Sequence, residues 1–169
     1  MGNAAKVSTG IVIILGLLTL VFFAVSLPQL EVAMIHSKSS VFSTNNVKIE
    51  IAREDSRFEQ WSNVCFRIDN AGQALGSYEV PASNFKVSLK TDAICKGCDI
   101  RTDFTTLPPQ GNVNFCKEIK SPTDSNELSF EVITEYNALV FSPSTSYRFV
   151  CELQEEDNSK NTYTCNAQK

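Results

Sequence analysis

Phe85-Lys86-Val87-Ser88-Leu89-Lys90 alternates apolar with polar side chains without a break. In an extended chain successive side chains point to opposite faces, so this stretch has one apolar face and one wet face, as a half-buried strand does. The same period of two recurs along the chain. Val47, Ile49 and Ile51 alternate with Lys48 and Glu50, and Val64, Phe66 and Ile68 with Cys65 and Arg67. Leu128, Phe130 and Val132 alternate with Ser129 and Glu131, and Tyr147, Phe149, Cys151 and Leu153 close the set. Between these runs lie Asn70-Ala71-Gly72, Pro81, Lys96-Gly97, Pro108-Pro109-Gln110-Gly111 and Ser142-Pro143, each a turn signal. No stretch after Ile35 carries a helical stripe. Short half-buried strands punctuated by Gly and Pro predict an all-β fold, an antiparallel sandwich or barrel.

One segment bears on the choice between them. Phe141-Ser142-Pro143-Ser144-Thr145-Ser146-Tyr147 resembles the apolar-x-Pro-x-Thr-x-Tyr corner of fibronectin type III domains. Phe66-Arg67-Ile68-Asp69-Asn70-Ala71-Gly72 is similar to the strand and Asn-x-Gly turn of many immunoglobulin-like modules. The resemblance implies an immunoglobulin-like sandwich in which Pro143, Thr145 and Tyr147 form a tyrosine corner, the hydroxyl bonding back to upstream backbone. It covers about a tenth of the chain and speaks to architecture, since fold does not imply function. Trp61 precedes Cys65, unlike the order in antibody domains, and is expected to anchor the core.

All six cysteines follow residue 60: Cys65, Cys95, Cys98, Cys116, Cys151 and Cys165. If Asp157 to Ser159 form the tip of an acidic turn, Leu153 faces Tyr163 and Cys151 faces Cys165, on the inner side with Phe149. That predicts a Cys151–Cys165 bridge. Cys95-Lys96-Gly97-Cys98 has the spacing of a redox dithiol or half a zinc site. A redox pair normally opens a helix, whereas Asp99-Ile100-Arg101-Thr102-Asp103-Phe104 reads as strand or loop. Zinc needs further ligands, and the single histidine, His36, lies far along the chain. The two are expected to be structural, bridged to each other or elsewhere, with Cys65 and Cys116 as natural partners.

Upstream, Ile11 to Leu27 reads IVIILGLLTLVFFAVSL, with no charge. A helix needs about 20 mostly apolar residues to cross a bilayer, and residues 7–28 supply that length. This run exceeds the usual apolar core of a cleaved signal, although Ala24-Val25-Ser26 offers small residues for cleavage. Lys6 with no acid before the run favours a cytoplasmic N-terminus and an exported C-terminal domain. The expected organisation is therefore a short cytoplasmic segment (1–6), a transmembrane helix (7–28), a juxtamembrane linker (29–40) and one exported β-sandwich domain (41–169). Pro28 ends or kinks the helix. Leu30, Val32, Met34 and Ile35 form either a last helical turn or a first strand. Cysteines in an exported domain read as disulfides, which suits an oxidising compartment.

Several function classes find no footing. Net charge is −4, with Lys and Arg scattered, which argues against nucleic acid. There is no Gly-x-Ser-x-Gly elbow and no phosphate-cradling glycine loop. The acidic cluster Glu152, Glu155, Glu156 and Asp157 lacks the spacing of a calcium loop and reads as a solvated hairpin tip. No cofactor, metal or small-molecule substrate is expected. The leading expectation is a non-catalytic, membrane-anchored structural or protein-binding component of a larger assembly, partnered by the bilayer through residues 7–28 and by other proteins. One alternative is a minor structural protein linking capsid to membrane in a membrane-containing virus, which the absence of Asn-x-Ser/Thr sequons suits. Another is an exported thiol–disulfide oxidoreductase using Cys95 and Cys98.

Overall fold

The computed structural model describes residues 10–20, 29–36, 45–57, 60–72, 82–136 and 142–168. Residues 10–20 are helical, and residues 11–20 are exposed. At 1.5 Å per residue this described stretch is about 16 Å long. No helix among the described residues is long and apolar enough to cross a membrane. The remainder of the expected span, 7–9 and 21–28, lies outside the described residues.

The rest is β-structure, as the alternation predicts. Among the described residues ten strands follow in order: β1 (Leu30–His36), β2 (Val47–Arg53), β3 (Ser62–Asn70), β4 (Ala82–Thr91), β5 (Ile94–Lys96), β6 (Thr102–Leu107), β7 (Asn112–Ser121), β8 (Glu127–Glu135), β9 (Ser144–Glu156) and β10 (Lys160–Gln168). They form one hydrogen-bonded sheet in the order β1-β3-β7-β2-β10-β9-β8-β4-β6, with β5 also on β7. Every pairing is antiparallel except that of β2 with β7, which rests on Ala52↔Lys120 and Arg53↔Ser121 alone. This short parallel seam divides the sheet into two arms, β1-β3-β7-β5 and β2-β10-β9-β8-β4-β6. The expected pair of sheets is thus a single sheet by hydrogen bonding. The arms nevertheless meet through their apolar faces, since the Phe66 ring on β3 lies 5.9 Å from Phe130 on β8 and 5.8 Å from Phe149 on β9.

Most of the apolar positions the alternation selects lie in the core, while Val47, Tyr147 and Leu153 are half-buried at its edge. Ile49, Ile51, Val64, Phe66, Ile68, Phe85, Val87, Leu89, Leu128, Phe130, Val132 and Phe149 are all buried. Leu30, Val32 and Met34 join them, so of the two readings for this segment the strand holds. Within the stretch expected as a linker (29–40), β1 thus pairs with β3 along its whole length and buries its apolar residues. Trp61, expected to anchor the core, lies at the surface instead. It is 36% exposed, just before β3, with the parity of Asn63 and Cys65 and opposite to that of the buried Phe66.

Turn chemistry matches the turn residues. Gln110 takes a left-handed conformation (φ 58°), and Gly111 N–H donates to the Pro108 carbonyl at 2.9 Å. A Cβ on Gly111 would stand 2.8 Å from Pro108 Cγ, which explains a glycine there. Buried Asn70 ties this turn down: its backbone bonds Gly111 and Gln110, and its side-chain amide donates to the Leu107 carbonyl. Where the two arms join, Tyr163 hydroxyl, Ser121 hydroxyl and the Asn161 amide form a buried polar knot, and Tyr163 donates to the Ser125 carbonyl at 3.0 Å. Such groups are tolerated inside because they partner one another. The exception is Asn161 Oδ1, which has no hydrogen-bond partner among the described residues.

Candidate functional site

Register fixes what the outer face of the first arm presents. On β3 the outward positions run Cys65, Asn63 and, just beyond the strand, Trp61. On β7 the outward positions opposite them are Cys116, Glu118 and Lys120, and β5 sets Lys96 beside Glu118 and Ile94 beside Lys120. Lys96 and Glu118 make an ion pair of 3.0 Å. The Lys120 ammonium stands 4.9 Å from the Trp61 ring centroid and that of Lys96 5.8 Å, both within cation–π range. Ile100, 63% exposed on the neighbouring turn, adds an apolar neighbour in sequence to the cysteine motif. Trp61, Lys96 and Lys120 therefore form an aromatic and cationic cluster at one end of the arm. Aromatic and cationic side chains of this kind are enriched at protein interfaces.

All six cysteines are paired. Cys151–Cys165 forms as the register predicts, with Leu153 opposite Tyr163 and the turn closed by Asp157 N–H donating to the Lys160 carbonyl. Of the two readings for Cys95 and Cys98, bridged to each other or to Cys65 and Cys116, the first holds: Cys65 and Cys116 bond to each other, because they face one another directly across β3 and β7. Cys95 and Cys98 bond to each other across the turn that leaves β5, a turn led by no helix. Gly97 takes φ 71° there.

Behind this turn stands a residue the sequence reading passed over. Lys117 has the inward parity of Phe115 and Ile119, but β5 is only three residues long and leaves its place open. Its ammonium lies 5.3 Å from the Phe115 ring centroid and donates to the Gly97 carbonyl at 2.6 Å and to Ile100 O at 3.4 Å. The signal was present as the one charged residue breaking the inward series Val113, Phe115, Ile119.

The residues of the suggested tyrosine corner lie at the other end of the domain. Tyr147 hydroxyl donates to the Leu30 carbonyl on β1, a distant strand, rather than to nearby backbone. The Pro143 carbonyl accepts from Tyr136 N–H at 3.2 Å, and the Thr145 carbonyl accepts from the Thr134 hydroxyl. Burial pushes the Tyr147 phenol above its ordinary value, and the Glu31 carboxylate adds to the shift.

Elsewhere, Lys90, Glu131 and Arg148 form a row across β4, β8 and β9. With Thr91, Asp92 and Ser129 they line a polar surface groove of about 410 Å³, where the Asp92 carboxylate accepts from Ser129 N–H at 2.7 Å. The acidic hairpin tip is bound to β2 by Arg53, which pairs with both Asp55 and Glu156. Among the described residues, no group of three or more His, Cys, Asp or Glu side chains is placed to hold a metal ion. In comparisons with known proteins, no family, no curated protein and no solved structure matches the chain.

Proposed function

We propose that this protein is a non-catalytic, membrane-anchored structural or protein-binding component of a larger assembly. In this reading residues 7–28 are a transmembrane anchor, the N-terminus is cytoplasmic, and a disulfide-stapled, immunoglobulin-like sandwich stands in an oxidising compartment. The observation that carries the reading is the junction of an uncharged apolar run with a β domain whose cysteines are all paired. An uncharged run of this length is stable as a helix in hydrocarbon, where every backbone group must be satisfied internally. Three disulfides suit oxidising surroundings. The two arms meeting at Phe66 support the sandwich, and the Trp61, Lys96 and Lys120 cluster is the surface offered to a partner. Within this class, the missing sequons favour a minor structural protein that ties capsid to membrane in a membrane-containing virus.

The test is extraction and mass. The full chain expressed with its N-terminus intact should resist alkaline carbonate, dissolve in detergent, and show a full-length mass with no alkyl adducts when alkylated without reduction. A soluble protein whose mass begins near Leu27 would replace the anchor with a cleaved signal and the membrane component with a secreted module.

A further inference from the structure

The three disulfides differ in loop size, setting and exposure. Cys65–Cys116 spans 51 positions of sequence, Cys151–Cys165 spans 14 and Cys95–Cys98 spans 3. In the chain-entropy picture a bridge stabilises more as its loop lengthens, so opening Cys95–Cys98 costs the fold least. Cys151 and Cys165 are buried within the β9–β10 ladder, and Cys65 is buried within the β3–β7 ladder although Cys116 is exposed. Cys95 and Cys98 are both half-buried against the edge of the core and sit at a turn beside a three-residue strand. This is the bridge that can open without breaking a long ladder, since it closes a turn at the end of a three-residue strand.

Of the charges around this turn, one lysine is without a carboxylate partner among the described residues. Lys96 is paired with Glu118, Arg101 with Glu135, and Asp99 is exposed beside Cys98. Lys120 faces the Trp61 ring. Lys117 approaches from β7, bonded to the carbonyl between the two cysteines, and makes no ion pair among the described residues. A cation beside a thiol favours the thiolate, the form that leaves and re-forms in exchange.

We propose that Cys95–Cys98 is a reversible thiol–disulfide exchange site for a small thiol, with Lys117 as its positioning residue. The thiolate of the small thiol attacks one sulfur of the bridge. The Cys95–Cys98 bond breaks, a mixed disulfide forms, and the other cysteine leaves as a thiolate near the Lys117 ammonium. A second small thiolate attacks the mixed disulfide, releasing the oxidised small molecule and the second cysteine. Two electrons pass to the protein, and the two protons given up by the small thiols end on Cys95 and Cys98. The corresponding small disulfide reverses the process. This is a modification of the protein itself rather than turnover of an external substrate, and it does not depend on the anchor.

The experiment uses the full chain in detergent, equilibrated with glutathione buffers of graded potential, then alkylated and mapped by peptide mass. Cys95 and Cys98 should become alkylated together while the other four cysteines remain oxidised, and both should re-form their bridge in oxidised glutathione. Trp61, the single tryptophan, should change its emission at the same midpoint, since Lys96 on the turn lies against its ring. In the reduced protein, Lys117→Gln should slow alkylation at neutral pH by about threefold to tenfold, and Lys117→Arg should restore the rate. Opening of Cys65–Cys116 first, or of all three bridges at one potential, overturns the exchange site. An unchanged alkylation rate in Lys117→Gln overturns the role of Lys117.

Discussion

Phe66 gives the sharpest test of how the single sheet folds on itself. It is fully buried, and its ring touches three others. Phe115, its register partner on β7, lies 6.4 Å away within the same arm, whereas Phe130 and Phe149, at 5.9 and 5.8 Å, belong to the other arm. Truncating a buried phenylalanine costs about 3–5 kcal/mol, so Phe66→Ala should remove about 4 kcal/mol from the unfolding free energy. That single value does not say which neighbours matter. Aromatic pairs contribute about 0.5–1.5 kcal/mol beyond area burial, and a double-mutant cycle isolates that part. Guanidinium unfolding, followed by circular dichroism with the disulfides intact, should be run on Phe66→Leu, Phe149→Leu and their combination. Leucine keeps most of the volume, which limits collapse at the site. The expected coupling between Phe66 and Phe149 is about 1 kcal/mol, comparable with that between Phe66 and Phe115. Coupling to Phe115 with none to Phe149 or Phe130 would refute the packing of the two arms, and the sandwich with it.

Other perturbations report on single features. Tyr163→Phe should cost about 1–3 kcal/mol, because it leaves the buried Asn161 amide and the Ser125 carbonyl short of a partner; a neutral result in the same unfolding assay would remove the knot from the account of the seam. Gln110→Gly should stabilise by about 0.5–1 kcal/mol, since a left-handed residue other than glycine costs about 1–2 kcal/mol and the added chain entropy returns part of that. A lower unfolding midpoint would refute it. Arg53 hydrogen-bonds Asp55 at 2.8 and 2.9 Å and holds that carboxyl below its ordinary value of 3.8. A depressed folded pKa stabilises above the unfolded value, and that stability fades as pH falls through the folded one. Arg53→Gln should therefore flatten the decline in stability below about pH 4, and an unaltered acid limb in a pH series would rule the pair out.

The alternating runs were legible because each had one face against the core throughout, which is why Phe85-Lys86-Val87-Ser88-Leu89-Lys90 and Leu128-Ser129-Phe130-Glu131-Val132 became β4 and β8. The Cys151–Cys165 bridge was legible for a related reason: a short hairpin leaves its register little freedom once the tip is placed. β7 was harder to see. Its inward series runs Val113, Phe115, Lys117, Ile119, and the lysine breaks the period at the point where β5 leaves the face open. The Cys65–Cys116 pair was hidden with it, since their opposition depends on a long-range register that local pattern does not encode. Trp61 was misplaced because bulk alone suggests burial, whereas its parity with Cys65 sets it on the outer face. β1 follows a proline and holds Glu31 among apolar residues, so pattern left helix and strand open, and full-length pairing with β3 decided it.

The same strand, β3, gives the proposed function a direction. Leu30, where the chain enters the domain after the apolar run, is opposite Asn70 at one end of β3, and Trp61 precedes Ser62 at the other. At about 3.3 Å per residue those ends are roughly 30 Å apart. If residues 7–28 are anchored in a bilayer, Tyr136, Tyr147 and Glu31 belong to the end where the chain enters, and the Trp61, Lys96 and Lys120 cluster belongs to the far end. Lys117 and the Cys95–Cys98 turn lie at that far end too, because Ser62, Ile119 and Cys95 share one register line across β3, β7 and β5. The surface proposed to meet a partner and the bridge proposed to exchange are thus one neighbourhood. A small thiol that opens the bridge would loosen the turn that carries Lys96, and with it the cationic half of the Trp61 cluster. Partner binding and the oxidation state of Cys95–Cys98 would then be coupled through the position of Lys96, with the buried Cys151–Cys165 bridge holding the rest of the sheet unchanged.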